Sequence, residues 1–308
     1  EPVNARYGIA GDVALMEMAQ ASGLTLVPPG KLDPKAATTF GVGEMILDAL
    51  ERGCRSFVMG IGGSATNDGG MGMLQALGVR FEDENGRSLP CRGDSLGKVK
   101  NIDITGMNPL LRECDFRIAC DVKNPLCGDS GCSAVFGPQK GIAADEIALW
   151  DGWMADYARC VQSLNPTADP LAQGAGAADG LGFAYLSFTR AQLVSGIDLV
   201  MQTVGLEERI KDSDLVITGE GRLDGQSCMG KAPSGVAALA LKYNKPCVAL
   251  SGAVTEDAVD CNEHGIDAFF SILRSACTLD QAMEKETAKA NLSATAEQVM
   301  RLYMAAKR

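Results

Sequence analysis

Apolar positions recur at two periods along the front of the chain. Residues 3–9 alternate loosely, Ala10-Gly11-Asp12 has turn character, and residues 13–18 run on as a second strand, a pattern that predicts a hairpin. Val42, Met45, Ile46, Ala49 and Leu50 then share one helical face, with Thr39 placed to cap the helix and Gly53 to stop it. Residues 56–61 form a short apolar strand that empties into Gly60-Ile61-Gly62-Gly63-Ser64-Ala65-Thr66-Asn67-Asp68-Gly69-Gly70. A helix over about 71–77, closed by Gly78, and a strand beginning at 79–82 follow, before the Asp83-Glu84-Asn85-Gly86 turn.

The middle is less regular. Residues 116–120 predict a strand that delivers Asp121 at its carboxyl end, and Ile147, Trp150, Met154, Tyr157 and Val161 predict an amphipathic helix over 145–163. The run 174–182, rich in Gly and Ala, suits a flexible linker or a closely packed helix. From Ser195 the rhythm is steady: helix 196–204, strand 215–218, helix 234–243, strand 246–250, strand 268–272, then helices from Thr278, where Thr278 and Gln281 make a capping box. Strands and helices in alternation, the strands apolar and β-branched, mean parallel sheets flanked by helices. A boundary near residue 190 divides the chain into a glycine-loop domain, 1–189, and a Rossmann-like domain, 190–308. Glu1-Pro2-Val3 reads like the middle of a domain, and the second sheet is expected to be completed by a segment ahead of it.

Length agrees with two domains, since 308 residues is about twice ~150. Glycine is in excess, 36 of 308 residues against an average of ~7%, which points to tight loops where backbone approaches a ligand. The net charge of −11 would repel nucleic acid and an anionic membrane surface. No run of ~20 apolar residues and no signal segment is present, so the chain reads as a soluble, cytoplasmic protein. The 11 cysteines form no Cys-x-x-Cys, and the spacing of Cys114, Cys120, Cys127 and Cys132 fits no zinc framework; reduced core thiols are expected.

Three strands end in glycine-bearing loops, at Gly60-Ile61-Gly62-Gly63, at Thr218-Gly219-Glu220-Gly221 and at Ser251-Gly252. Ligands bind beyond the carboxyl ends of strands in open α/β sheets, which favours a small-molecule enzyme. Backbone N–H groups with Ser64, Thr66 and Asn67 make an oxyanion cradle. Gly60-x-Gly62-x-x-Ala65, with Glu82 about 20 residues on, also matches a dinucleotide fingerprint. Against that reading, Asp68 would face a bare pyrophosphate, whereas a magnesium-bridged triphosphate tolerates a carboxylate. Asp68 as a simple helix cap is the bland alternative. Gly225-x-x-x-x-Gly230-Lys231 imitates a P-loop, but Ala232 stands where a Ser or Thr hydroxyl must hold magnesium. Lys231 can still meet a phosphate at the start of a helix. Asp121, Glu220 and Asp224, with Asp68, supply carboxylates for magnesium and a general base. His264, the only histidine, sits in a polar turn and reads as a surface residue.

The long glycine string from Gly60 to Gly70 resembles the signature of the bacterial glycerate kinase family, the type whose product is 2-phosphoglycerate. Three further stretches resemble the same family in the same order: Ala119-Cys120-Asp121-Val122-Lys123-Asn124-Pro125-Leu126, Ala134-Val135-Phe136-Gly137-Pro138-Gln139-Lys140-Gly141 and Thr218-Gly219-Glu220-Gly221-Arg222-Leu223-Asp224-Gly225-Gln226. The similarity runs along essentially the whole chain, except that family members begin with a strand, a Ser/Lys-bearing loop and a helix that have no counterpart here.

This resemblance implies two α/β domains with the active site in the interdomain cleft, and ATP-dependent phosphorylation of D-glycerate with Mg2+ bridging the phosphates. Residues 62–68 then supply the phosphate cradle, with Gly62, Gly63, Ser64, Thr66 and Asn67 as its contacts. Asp121 and Asp68 are candidates for positioning the hydroxyl, Glu220 and Asp224 for metal, and the two pairs are interchangeable. Lys231 is assigned to ATP phosphate, and Arg222 and Asn124 to substrate. The implied partners are small molecules, without nucleic acid or membrane, and a homo-oligomer is left open. The rival readings are an NAD-dependent dehydrogenase of a small hydroxy acid and a non-catalytic sensor of a small anion.

Overall fold

The computed structural model of the chain describes residues 2–228 and 231–308. Two compact units result, Glu1–Gly196 and Ile197–Arg308. The division falls after Gly196 and not at the expected 189/190, because strand Gln192–Val194 hydrogen-bonds into the first unit's sheet.

The first unit is built on a five-stranded sheet. Gly8–Ala10 and Val13–Glu17 form the expected antiparallel hairpin at one edge. Ser56–Gly60, Asp115–Ala119 and Gln192–Val194 then continue in parallel, in that spatial order. Alternate residues of the central strands point into the core, where the Phe57 and Phe116 rings stack with centroids 4.6 Å apart. Helix Phe40–Glu51 buries the predicted face of Val42, Met45, Ile46, Ala49 and Leu50. It packs against the short helix Met71–Ala76.

Local detail departs from expectation at three places. Thr39 stands at the amino end of its helix without capping it by its side chain. Its hydroxyl instead donates to Asp68 (2.9 Å) and accepts from the Met73 N–H (2.9 Å), a charged acceptor having outcompeted the cap. Run 174–182 is a series of tight buried turns before helix Leu181–Phe188, so neither linker nor continuous helix describes it. The hairpin of Arg80–Glu82 with Asn101–Asp103 holds Glu82, which pairs with Arg80 and accepts from Asn101. Glu82 is thus a hairpin residue. The dinucleotide fingerprint also needs a helix opening at Ala65, whereas the helix starts at Met71 behind a left-handed Gly70.

The second unit carries a three-stranded parallel sheet, with Cys247–Ser251 between Val216–Thr218 and Ala268–Ser271. All five residues of the middle strand are buried, as a parallel strand covered on both faces requires. Helix Ala232–Lys242 covers one core, lined by Ala237 and Ala240, and Val299 of the long helix Lys285–Ala306 packs on Val248 and Leu250. The Thr278–Gln281 capping box forms as read. His264 is exposed, but it ends the 3-10 helix Glu256–His264 instead of sitting in a turn, and its Nδ1 lies 2.9 Å from the Asp260 carbonyl. Among the described residues no disulfide joins the placed cysteines, and no helix is long and apolar enough to cross a membrane.

Candidate active site

Strands Ser56–Gly60 and Asp115–Ala119 run side by side and end together, Gly60 opposite Ala119. Beyond their carboxyl ends lies a cavity of about 450 Å3 within the first unit. The glycine loop from Gly60 to Ser64 forms one wall and the segment from Ala119 to Val122 another. Gln139 and Lys140 of the turn Pro138–Lys140, with residues 177–179, close it.

Of the residues expected to contact phosphate or substrate, Gly62, Gly63, Ser64 and Asp121 line this cavity. Gly63 adopts φ +74°, a left-handed conformation that glycine takes without strain. Asp121 is exposed, and its Oδ1 accepts the Gly196 N–H at 2.8 Å. Thr66 and Asn67 lie deeper: the Thr66 carbonyl accepts from Lys140, and Asn67 donates its amide to the Ser133 hydroxyl at 3.2 Å. Asn124 donates to the Ser130 carbonyl at 2.9 Å and is absent from the cavity wall.

Asp68 is fully buried and does not line the cavity. Its carboxylate accepts the Thr39 N–H (2.7 Å), the Thr39 hydroxyl (2.9 Å), and the Gly70 (3.1 Å) and Gly72 (3.2 Å) N–H groups. Burial raises its pKa, against the lowering effect of these donors. With no face open to a ligand, Asp68 ties the start of one helix to the start of the next. Asp68→Asn should turn an acceptor into a donor facing donors and cost about 1–3 kcal/mol in denaturant unfolding. Turnover per folded molecule should stay near that of the parent, an outcome a hydroxyl-positioning role would not allow.

Two residues that were not among the expected site residues, Lys140 and Asp179, meet at the cavity wall. Lys140 is only 2% exposed, and its ammonium donates to Ser64 Oγ (2.6 Å) and the Thr66 carbonyl (3.0 Å) while pairing with the Asp179 carboxylate. Burial lowers the Lys140 pKa, against the smaller raising effect of Cys132 and Asp68. The signal was a lysine inside an otherwise glycine- and proline-punctuated turn, Gly137-Pro138-Gln139-Lys140-Gly141. Asp179 gave no signal within its Gly/Ala run.

The other expected residues belong to the second unit. Glu220 follows strand Val216–Thr218, and its Oε1 is buried without a hydrogen-bond partner among the described residues, as is the Ser251 hydroxyl at the end of the neighbouring strand. Asp224 accepts from Ser227 and Gln226 and lies 3.5 Å from Lys231 and 3.8 Å from Arg222. Burial opposes its ionisation, but the Lys231 ammonium and the Ser227 donors hold its carboxyl below the usual value. Lys231 is the amino-terminal cap of helix Ala232–Lys242. Gly230, the last glycine of the P-loop-like string, lies outside the described residues.

A glycine-walled cavity beyond the carboxyl ends of parallel strands, mostly apolar with a few polar side chains, is the arrangement of an α/β enzyme acting on a small molecule. Comparison with known proteins gives the family. Residues 1–304 match the model of the glycerate kinase family. The chain is 50% identical to the glycerate 2-kinase of Escherichia coli K12 over 284 residues, 92% of this chain and 74% of that protein. It is 45% identical to a glycerate kinase of Bacillus subtilis 168, over 92% of this chain and 75% of the relative. The crystal structure of a proposed glycerate kinase 2 from Salmonella typhimurium LT2 superposes with a TM-score of 0.87 at 43% identity, over 99% of this chain and 80% of that one. The chain belongs to the glycerate kinase family and is a kinase.

Proposed function

We propose that the protein transfers the terminal phosphoryl group of ATP to the 2-hydroxyl of D-glycerate, giving ADP and 2-phospho-D-glycerate. The observation that carries this reading is the 50% identity with a glycerate 2-kinase over 92% of the chain. Phosphoryl transfer asks a protein mainly for positioning and charge stabilisation. Asp121 would orient the attacking hydroxyl and take its proton. The N–H groups of Gly62 and Gly63 with the Ser64 hydroxyl would cradle an anionic oxygen, and Asn124 would reach substrate only by releasing the Ser130 carbonyl. Lys231 is the cation assigned to the ATP phosphates, and Arg222 the one assigned to the substrate.

Magnesium needs only one or two carboxylates when substrate phosphates complete its shell. Among the described residues no three metal-capable side chains cluster, and Asp224 is engaged by Lys231 and Ser227. Glu220, whose buried Oε1 has no partner among the described residues, fits the ion better than Asp224 does. Bound there, the ion would neutralise phosphate charge.

Lys231→Gln should raise the ATP KM or lower turnover more than ~10-fold, about 1.4 kcal/mol, because glutamine offers no point charge. Its side chain is 43% exposed, so the melting temperature should hardly move. An unchanged rate with an unchanged ATP KM would return Lys231 to helix capping. A thermal-shift panel tests the reading at the level of ligands: MgATP with D-glycerate should stabilise the protein and NAD should not. Stabilisation by NAD alone would favour the dehydrogenase.

A further inference from the structure

The interior of the cavity floor breaks three rules of stable packing at one place. Lys140 and Asp179 form an ion pair that is 2% and 0% exposed, an arrangement for which well-packed apolar residues are usually no less stable. Asp179 Oδ1 is buried with no hydrogen-bond partner among the described residues. Ala178 and Asp179 adopt φ +48° and +50°, conformations that side chains other than glycine's take at a cost. Such departures persist where function, and not stability, maintains them.

The geometry gives this cluster a task. Three cavity-wall segments far apart in sequence, the glycine loop, the turn Pro138–Lys140 and residues 177–179, meet at one ammonium. Lys140 donates to Ser64 Oγ at 2.6 Å, so a lone pair of that hydroxyl is filled and its own proton is left to donate. Among the described residues that proton is donated only to Asp179 Oδ2, at 3.5 Å, a long bond that a nearer anionic oxygen in the cavity would displace.

We propose that Lys140 and Asp179 are positioning residues that fix the Ser64 hydroxyl as a hydrogen-bond donor to an anionic oxygen of the reacting ligands. The inference rests on the phosphoryl-transfer reading above. Lys140 sets which way the serine proton points, and Asp179 holds Lys140 in place. The same contact with the Thr66 carbonyl holds the glycine loop against the floor, so the Gly62 and Gly63 N–H groups keep a fixed bearing. None of this requires Lys140 or Asp179 to touch substrate.

The test begins with turnover of D-glycerate and MgATP by the parent protein, whose absence would defeat the kinase reading itself. Given that activity, Ser64→Ala deletes the donor and leaves the ion pair. It should lower kcat/KM more than tenfold in a protein that remains folded; near-parental kcat/KM would overturn the proposal. The double variant Lys140→Met with Asp179→Leu separates positioning from stability. Expected is a folded protein whose kcat falls at least tenfold. A folded double variant with parental kcat would make the pair merely structural and overturn the proposal; if it does not fold, Ser64→Ala decides alone.

Discussion

Asp121→Asn is expected to lower turnover by at least ~10²-fold, within the usual contribution of a general base. The residue stands just past strand Asp115–Ala119, on the wall of the cavity, where its carboxylate is exposed. Asparagine keeps the shape, and its carbonyl oxygen can still accept the Gly196 N–H that Asp121 Oδ1 now accepts at 2.8 Å. What it removes is the charge that would draw the proton from the attacking hydroxyl. The loss should therefore appear in kcat, with the melting temperature unchanged. Asp68, fully buried, cannot substitute. Steady-state kinetics on the folded variant check this, and near-parental turnover would take Asp121 out of the chemistry.

Lys140→Met is expected to produce the largest loss of stability, about 3–5 kcal/mol, because it leaves the buried Asp179 carboxylate without its cation. The Ser64 hydroxyl and the Thr66 carbonyl lose their donor in the same step. Urea unfolding measures the effect. Adding Asp179→Leu should restore much of the stability, since the second change removes the orphaned charge. A loss under ~1 kcal/mol for the single variant would mean that the two groups are not a charged pair.

What the sequence revealed was local, and what it hid was long-range. The Thr278–Gln281 box could be read because both partners lie within one helical turn. The hairpin at the front and the strand leading into the glycine loop were legible from alternation and from glycine alone. Thr39 was placed at the right helix end, yet its hydroxyl was claimed by Asp68 through a contact across 29 positions. Asp68 looked catalytic because an acid in a glycine-rich loop has that pattern, and only burial distinguishes a fastening from a base. Lys140 and Asp179 lie in separate turns, and nothing in either turn announces the other. Asp121 was legible because its position depends only on where one apolar strand ends.

Phosphorus NMR of a reaction containing the protein, MgATP and D-glycerate tests the proposed activity most directly, since it identifies both products at once. ADP and 2-phospho-D-glycerate should appear in equal amounts, with no signal from the 3-phosphate. Unconsumed ATP would contradict the kinase reading, and 3-phosphoglycerate would contradict the hydroxyl assigned to it.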